Sequence, residues 1–162
     1  MIERAVINAG PLVALSMLDH LDLLPALFAE CWIPQAVFNE VAVAGIGKPG
    51  AKSLQEAEWL GRVRVSPVPD PLLVMELDPG EAEVISVARQ LSPCVAIIDE
   101  RRARRIAQHV YGLPVKGTAG ILVEAQRRGL IAGVRPRLQR LREAGYFIAD
   151  RVVAAACQAV GE

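Results

Sequence analysis

The amino-acid sequence predicts an α/β fold, a three-layer α/β/α arrangement around a central, mostly parallel sheet of four or five strands. Three observations predict it. Short β-rich runs alternate with helical stretches along the chain. The run Cys94–Ile98 is continuously apolar and of strand length, as in the middle of a parallel sheet. The segment Asp78-Pro79-Gly80-Glu81 is expected to open a helix, because it combines an N-cap, a proline at the first helical position and capping-box spacing.

The first half of the chain is predicted to hold three strands and four helices. The strands are Ala5–Ile7, Cys31–Ile33 and Val63–Ser66, and the helices are Pro11–Leu18, Leu21–Phe28, Pro34 to about Ala44, and Ala51–Leu60. Loops are expected over Gly45–Gly50 and over Pro67–Pro71, where prolines cluster.

The second half continues the alternation. After the helix that Asp78 opens, the predicted elements are the strand Cys94–Ile98, the helix Arg101–Val110, a short strand at Val115, and the helices Ile121–Arg128 (with Thr118 as its cap), Pro136–Ala144 and Ala149–Val160. Such alternation implies right-handed βαβ units and a sheet covered on both faces. Sites in these folds form at the carboxyl ends of the strands.

Composition limits the class of protein. The 162 residues, 52% apolar and 22% charged, fit a single domain over residues 1–162 rather than a disordered chain. No apolar run approaches the roughly 18 residues of a membrane span. Cys31, Cys94 and Cys157 form no C-x-x-C pair, and neither histidine has zinc-site spacing with a cysteine. We therefore expect buried free thiols, a cytoplasmic location and no structural zinc.

The charge is unevenly distributed although the net charge is zero. Residues 1–99 hold 13 acids and 6 bases, whereas residues 100–145 hold 3 acids and 11 bases. This asymmetry indicates either an anionic partner or solvated arginine-rich helix faces. Arg101, Arg102 and Arg105 closely follow a strand end, so they are candidate contacts to RNA phosphates; a solvent-facing helix explains them equally well.

Four polar residues fall where the predicted fold would place a site. Asn8 and Asp99 follow predicted strands, Glu81 lies in the first turn of its helix, and Glu40 lies at the margin of an apolar helix face. Carboxylates that converge repel one another unless a cation joins them, and Mg²⁺ and Mn²⁺ prefer oxygen ligands. A metal held in this way can activate water and stabilise charge on a phosphate.

Each of these residues also has a plain structural explanation. A capping box accounts for Glu81, and exposed glutamates such as Glu40 are common. Asp99 could cap the helix near Arg101, Thr118 could be an N-cap, and Asn8 suits the turn before Gly10-Pro11.

The sequence nevertheless resembles the PIN domain, in particular the VapC-toxin-like proteins. The resemblance covers nearly the whole chain, through the segments INAGPLVALSMLDHLDLL, IPQAVFNEV, DPGEAEVISVA, AIIDERRARRIA and KGTAGILVEAQRRGLI. It implies a ribonuclease fold dependent on Mg²⁺ or Mn²⁺, with its acidic positions at Asn8, Glu40, Glu81 and Asp99 and with Thr118 beside them. It also implies an RNA substrate, a homodimer and a small antitoxin partner that blocks the site.

The chain departs from this family at Asn8, where relatives usually carry aspartate followed by small hydroxyl residues. Asparagine keeps a carbonyl oxygen but loses a full charge. Two hypotheses follow. The first is an endoribonuclease of a toxin–antitoxin pair, with a metal ion held by Asp99, Glu81 and Glu40 and with help from Asn8. The second is a PIN-like binding module that has lost catalysis. A phosphate-accepting receiver domain ranks below both, because it needs an acidic pair at the end of the first strand. No Gly-rich nucleotide-binding motif is present.

Overall fold

The strands form one parallel sheet at the centre of the fold. The computed structural model describes residues 3–57, 59, 63–64 and 68–162, with only the backbone at 63–64. The strands are β1 Arg4–Ile7, β2 Glu30–Pro34, β3 Val63–Arg64, β4 Val95–Ile97 and β5 Val115–Lys116. Their order is β3-β2-β1-β4-β5, and every neighbouring pair is parallel. This arrangement confirms the α/β prediction.

Helices flank the sheet. They are α1 Ala9–Met17, α2 Leu23–Leu27, α3 Gln35–Phe38, α4 Ala51–Glu56, α5 Pro71–Glu76, α6 Pro79–Gln90, α7 Arg101–His109, α8 Thr118–Arg127, α9 Arg135–Glu143 and α10 Asp150–Ala159. A π-helical segment, Asn39–Val43, directly continues α3. No described helix is long and apolar enough to cross a membrane.

The central strands of the sheet are buried, and their side chains are apolar on both faces. Ala5, Val6 and Ile7 of β1 are wholly buried, as are Ala96 and Ile97 of β4. An apolar run without alternation is what two helical layers require of a central strand. The three cysteines are buried and free, as expected.

Three elements differ from their predictions, and a fourth lies partly outside the described residues. The helix predicted from Pro34 to about Ala44 changes to π geometry at Asn39, where the Ala44 amide donates to the Asn39 carbonyl at 2.7 Å. The helix predicted to reach Leu60 ends at Glu56. Residues 65–66 of the predicted third strand lie outside the described residues. The prediction of Thr118 as an N-cap is wrong, because Gly117 occupies that position and Thr118 is the first helical residue.

Helix α5 was not predicted, although its start resembles that of α6. The side chain of Asp70 accepts a hydrogen bond from the Leu72 amide at 2.9 Å, and Pro71 follows at the first helical position. The cluster of prolines before it suggested only a loop. From sequence alone, a proline at the first position of a helix cannot be distinguished from a proline in a loop unless the N-cap residue before it is recognised.

Pairing of the central strands aligns their carboxyl ends. Ile7 pairs with Ile97, and Ile97 pairs with Lys116. The Asn8 amide donates to the Ile97 carbonyl at 3.0 Å, one residue beyond the end of β1. The residues that follow β1, β4 and β5 therefore meet at one edge of the sheet, where the sequence placed the candidate site.

Candidate active site

Asp99 lies at the centre of a hydrogen-bond network at this edge of the sheet. Its Oδ1 accepts from the backbone amide of Thr118 at 2.7 Å, and its Oδ2 accepts from the Thr118 hydroxyl at 2.5 Å. The hydroxyl of Tyr146 also donates to Oδ2. We call Asp99, Thr118 and Tyr146 the Asp99 network. Thr118 is 2% exposed, so its hydroxyl is committed to this carboxylate rather than to water.

Two glycines leave room for the Asp99 network. A Cβ at Gly117 would lie 2.7 Å from Oδ1 of Asp99 and 2.9 Å from Nη1 of Arg104, so the backbone could not approach as closely with any other residue. A Cβ at Gly10, in the first turn of α1, would lie 2.9 Å from the Tyr146 hydroxyl. The network therefore depends on small residues after β1 and after β5.

Tyr146 reaches Asp99 from the loop that follows α9. Its amide donates to the Leu141 carbonyl at 2.9 Å, which fixes the start of that loop. Burial raises the pKa of Tyr146 well above its ordinary value, and the charge of Asp99 and the hydrogen bond to it raise that pKa further. The phenol is therefore a permanent donor at neutral pH.

A second group of acids surrounds the N-terminus of α6. The Glu81 amide donates to Oδ1 of Asp78 at 2.8 Å, and the Asp78 amide donates to Oε1 of Glu81 at 3.2 Å. This is the capping box that the sequence predicted. The box fixes the Glu81 side chain, which is 9% exposed, against the start of its own helix.

Glu40 approaches the same helix end from the π-helical segment. A Cβ at Gly80 would lie 3.3 Å from Oε1 of Glu40 and 3.5 Å from Oδ1 of Asp78, so both carboxylates flank Gly80. Helix α3 packs against α6, and the Ala36 amide donates to Oε1 of Glu83 at 3.2 Å. Burial of the carboxylate raises the pKa of Glu40, and the charge of Asp78 raises it further.

Glu100 adds a fourth negative charge near Glu81. Its side chain caps α7, accepting from the amides of Arg102 at 3.0 Å and Ala103 at 2.8 Å. Burial raises the pKa of Glu81 to about 7 although its bond to the Asp78 backbone opposes this, and the charges of Asp78, Glu100 and Glu40 add to the increase. We call Glu40, Asp78, Glu81 and Glu100 the acidic cluster.

The structure thus divides the predicted site residues into two groups. Asp99 and Thr118 lie together, and Glu40 and Glu81 lie together. Asn8 is 7% exposed at the end of β1, and its side chain does not cap α1. Within the described part of the chain, no group of three histidine, cysteine or acidic side chains is close enough to hold a metal ion. The ligand set of Asp99, Glu81, Glu40 and Asn8 stays a prediction.

Sequence reasoning missed three residues of these groups. Glu100 had a local signal, because an acid pair directly follows the buried strand β4. Asp78 was recognised as a helix cap but not as a source of charge beside Glu40. Tyr146 had no signal, because it lies 47 residues from Asp99 along the chain.

The arginines after Asp99 share a cleft beside α5, which Arg101, Arg102 and Arg105 line. Arg102 forms an exposed ion pair there with Glu76 of α5, and Arg101 also lines the groove that contains Asp99 and Thr118. Arg104, which was not among the proposed RNA contacts, donates to the Ile98 carbonyl at 2.8 Å. The roles of Arg101, Arg102 and Arg105 toward RNA stay predictions.

Comparison with known proteins fits this arrangement. No curated protein matches the chain. A family model described as a PIN domain matches residues 4–162. The match covers every described strand and helix. The fold is accordingly of the nuclease type, and the chain belongs to the PIN-domain family.

Proposed function

We propose that the protein is a divalent-metal-dependent endoribonuclease whose reaction takes place between the acidic cluster and the Asp99 network. The observation that carries this proposal is the concentration of carboxylates around the first turn of α6. Glu81 is buried there beside Asp78 and within the electrostatic reach of Glu40 and Glu100. Capping of α6 and α7 accounts for Asp78, Glu81 and Glu100. It does not account for Glu40, whose carboxylate lies beside Gly80 at the same helix end.

The chemistry of these carboxylates, rather than their spacing in the described residues, is what suits a hard cation. The carboxylates offer oxygen ligands alone, the type that Mg²⁺ and Mn²⁺ prefer. Glu40 and Glu81 would hold the cation, with Asp99 and Asn8 at the adjoining strand ends. The pKa of each glutamate is raised, chiefly by loss of hydration and further by the charge of Asp78, so both carboxylates favour a cation beside them. When bound, such an ion supplies Lewis-acid stabilisation of charge on a phosphate oxygen.

The chain's own residues have separate tasks in this proposal. Thr118 and Tyr146 hold the Asp99 carboxylate in one orientation through three hydrogen bonds. The capping box does the same for Glu81. Side chains held in this way need no rearrangement when an RNA phosphate arrives, and this is the basis of electrostatic preorganisation.

The test is a Mn²⁺ titration by calorimetry together with an RNA cleavage assay. Variant Glu81→Gln keeps the oxygen that accepts from the Asp78 amide, whereas Asp99→Asn keeps one of its two acceptor oxygens; each variant removes one charge. We expect both to lose Mn²⁺ binding and cleavage, whereas Glu143→Gln, at an exposed position of α9, should keep both. If Asp99→Asn cleaves RNA as fast as the parent does, the proposal is wrong.

A second candidate function is a PIN-like binding module without catalysis. Two observations favour it: the neutral side chain of Asn8 at the end of β1, and the donors on Asp99, which satisfy that carboxylate without a cation. If this function holds, the parent binds no Mn²⁺ at millimolar concentration. Variant Asn8→Asp, which restores the missing charge, should then create or sharply increase metal-dependent cleavage.

We infer the partners from the family and not from any contact in the structure. They are RNA as substrate, a second copy of the chain, and a small antitoxin that covers the site; the cytoplasm is the inferred location. Light scattering of the purified protein tests the dimer. Co-expression with the neighbouring open reading frame, followed by copurification, tests the antitoxin.

A further inference from the structure

A groove opens beside the Asp99 network, between helices α8 and α10. Its volume is about 820 Å³, which lies within the range of about 300–1,000 Å³ seen for small-ligand sites. Asp99, Thr118 and Tyr146 form one end of the groove. Its floor is apolar, with Val123 of α8 opposite Ala156 of α10. The groove is therefore continuous with the candidate active site.

The rim of the groove is positively charged. The cationic side chains in its lining are Arg101, Arg104, Lys116, Arg127 and Arg151. Among the described residues that line it, Asp99 is the one acid. Charge complementarity therefore favours an anionic occupant. Asp99 lies where the groove meets the site of the proposed reaction.

Phe147 stands at the mouth of the groove with 87% of its surface exposed. It directly follows Tyr146, whose hydroxyl is bound to Asp99. The fold gains almost nothing from an aromatic ring that is left in water, because the ring buries little area. An exposed aromatic ring beside arginines is the combination on which unpaired bases stack while their phosphates are neutralised.

We propose that this groove binds single-stranded RNA next to the cleavage site, with one base stacked on Phe147 and the adjoining phosphates along Arg101 and Arg151. The proposal rests on the proposed ribonuclease function for the class of substrate. Arg104 and Arg127 already donate to backbone carbonyls, whereas Arg101 and Arg151 are exposed. A peptide of an apolar partner would use the floor of the groove but not this positive charge. Nucleic acid uses both.

The test is fluorescence anisotropy with a labelled ten-nucleotide single-stranded RNA of mixed sequence in EDTA, where no cleavage can occur. Variant Phe147→Ala should weaken binding by about tenfold, because it removes one stacked base, whereas Phe147→Trp should retain the affinity of the parent. Variant Met75→Ala removes another exposed apolar side chain, on α5, and should have no effect. Since Phe147 packs little, a thermal melt should show all three variants folded.

A second measurement separates the phosphate contacts from the stacking. Variant Arg151→Ala should weaken binding of every sequence and should lower the slope of log affinity against log salt by about one. Equal affinity of the parent and Phe147→Ala for single-stranded RNA would overturn the proposal. So would equal binding of duplex RNA, or a dimer that forms only while Phe147 is present.

The outcomes distinguish this inference from the proposed function. If the oligonucleotide binds through Phe147 but is never cleaved in Mn²⁺, the groove is an RNA site and the nuclease proposal fails. If Mn²⁺-dependent cleavage proceeds unchanged in Phe147→Ala and Arg151→Ala, the nuclease proposal stands and the groove proposal fails.

Discussion

Substitution of Glu81 by glutamine should stabilise the protein at pH 8 but not at pH 4.5. Glutamine keeps the oxygen that accepts from the Asp78 amide, so the capping box survives and only the charge is lost. The pKa of Glu81 is about 7 in the folded protein against 4.5 for the free side chain. Between these two pH values the folded state binds more protons than the unfolded state, so stability falls as pH rises through the window.

The magnitude follows from that difference in pKa. At 1.36 kcal/mol for each pH unit, the charge on Glu81 costs at most about 3 kcal/mol above pH 7. Its acidic neighbours face solvent, which screens their repulsion, so we expect about half of this, or ~1.5 kcal/mol. For a chain of this length that corresponds to an increase in Tm of about 3–6 °C for Glu81→Gln at pH 8.

Urea denaturation of the parent and Glu81→Gln in EDTA, at pH 4.5 and pH 8, measures the effect. Glu143→Gln serves as the matched control and should show no change between the two pH values. Added Mn²⁺ should stabilise the parent at pH 8 and leave Glu81→Gln unchanged, because the variant lacks one of the carboxylates proposed to hold the cation. A parent that is more stable than Glu81→Gln at pH 8 in EDTA would refute the reasoning.

Three further substitutions test the contacts that shape the site. Gly117→Ala should destabilise the protein by about 1–3 kcal/mol in chemical denaturation, because the new Cβ would lie 2.7 Å from Asp99 Oδ1. An unchanged denaturation midpoint would show that the backbone at residue 117 can shift to make room for the Cβ. Thr118→Val should cost about 1.5–3 kcal/mol in the same assay, since a buried hydrogen bond to a charged group is lost; a loss below 0.5 kcal/mol, on the order of surface substitutions, would mean that Asp99 finds another donor. Asp70→Ala should cost about 1 kcal/mol by removing the cap from the Leu72 amide, while RNA binding stays unchanged.

The fold was predictable because its main signals are local. The continuous apolar run before Asp99 indicates a central parallel strand without any knowledge of the partners of that strand. The capping box at Asp78 indicates the start of α6 from four consecutive residues. Strand-end position then placed Asn8 and Asp99 at one edge of the sheet, and the pairing of Ile7 with Ile97 confirms that the two strand ends are aligned.

What the sequence could not predict depends on contacts across long separations. The bond from Tyr146 to Asp99 needs the path of the loop after α9, which no periodicity encodes. The division of the acids between two groups is likewise a matter of side-chain direction. Glu40 lies in a π-helical segment, and its carboxylate approaches Gly80. Nothing in the apolar spacing of that segment distinguishes a π-helix from an α-helix.

Asn8 directly follows β1, which pairs with β4, the strand that precedes Asp99. With a neutral residue in that place, Thr118 and Tyr146 are sufficient to satisfy the Asp99 carboxylate. An aspartate at position 8 would put a second buried charge at the neighbouring strand end, which those donors cannot also neutralise. Asn8→Asp should therefore be less stable than the parent in EDTA and should recover that loss in millimolar Mn²⁺, as measured by thermal melts. If the two proteins have equal melting temperatures in EDTA, position 8 exerts no electrostatic effect on Asp99. It would then be wrong that the neutral side chain of Asn8 lets the Asp99 carboxylate do without a metal ion.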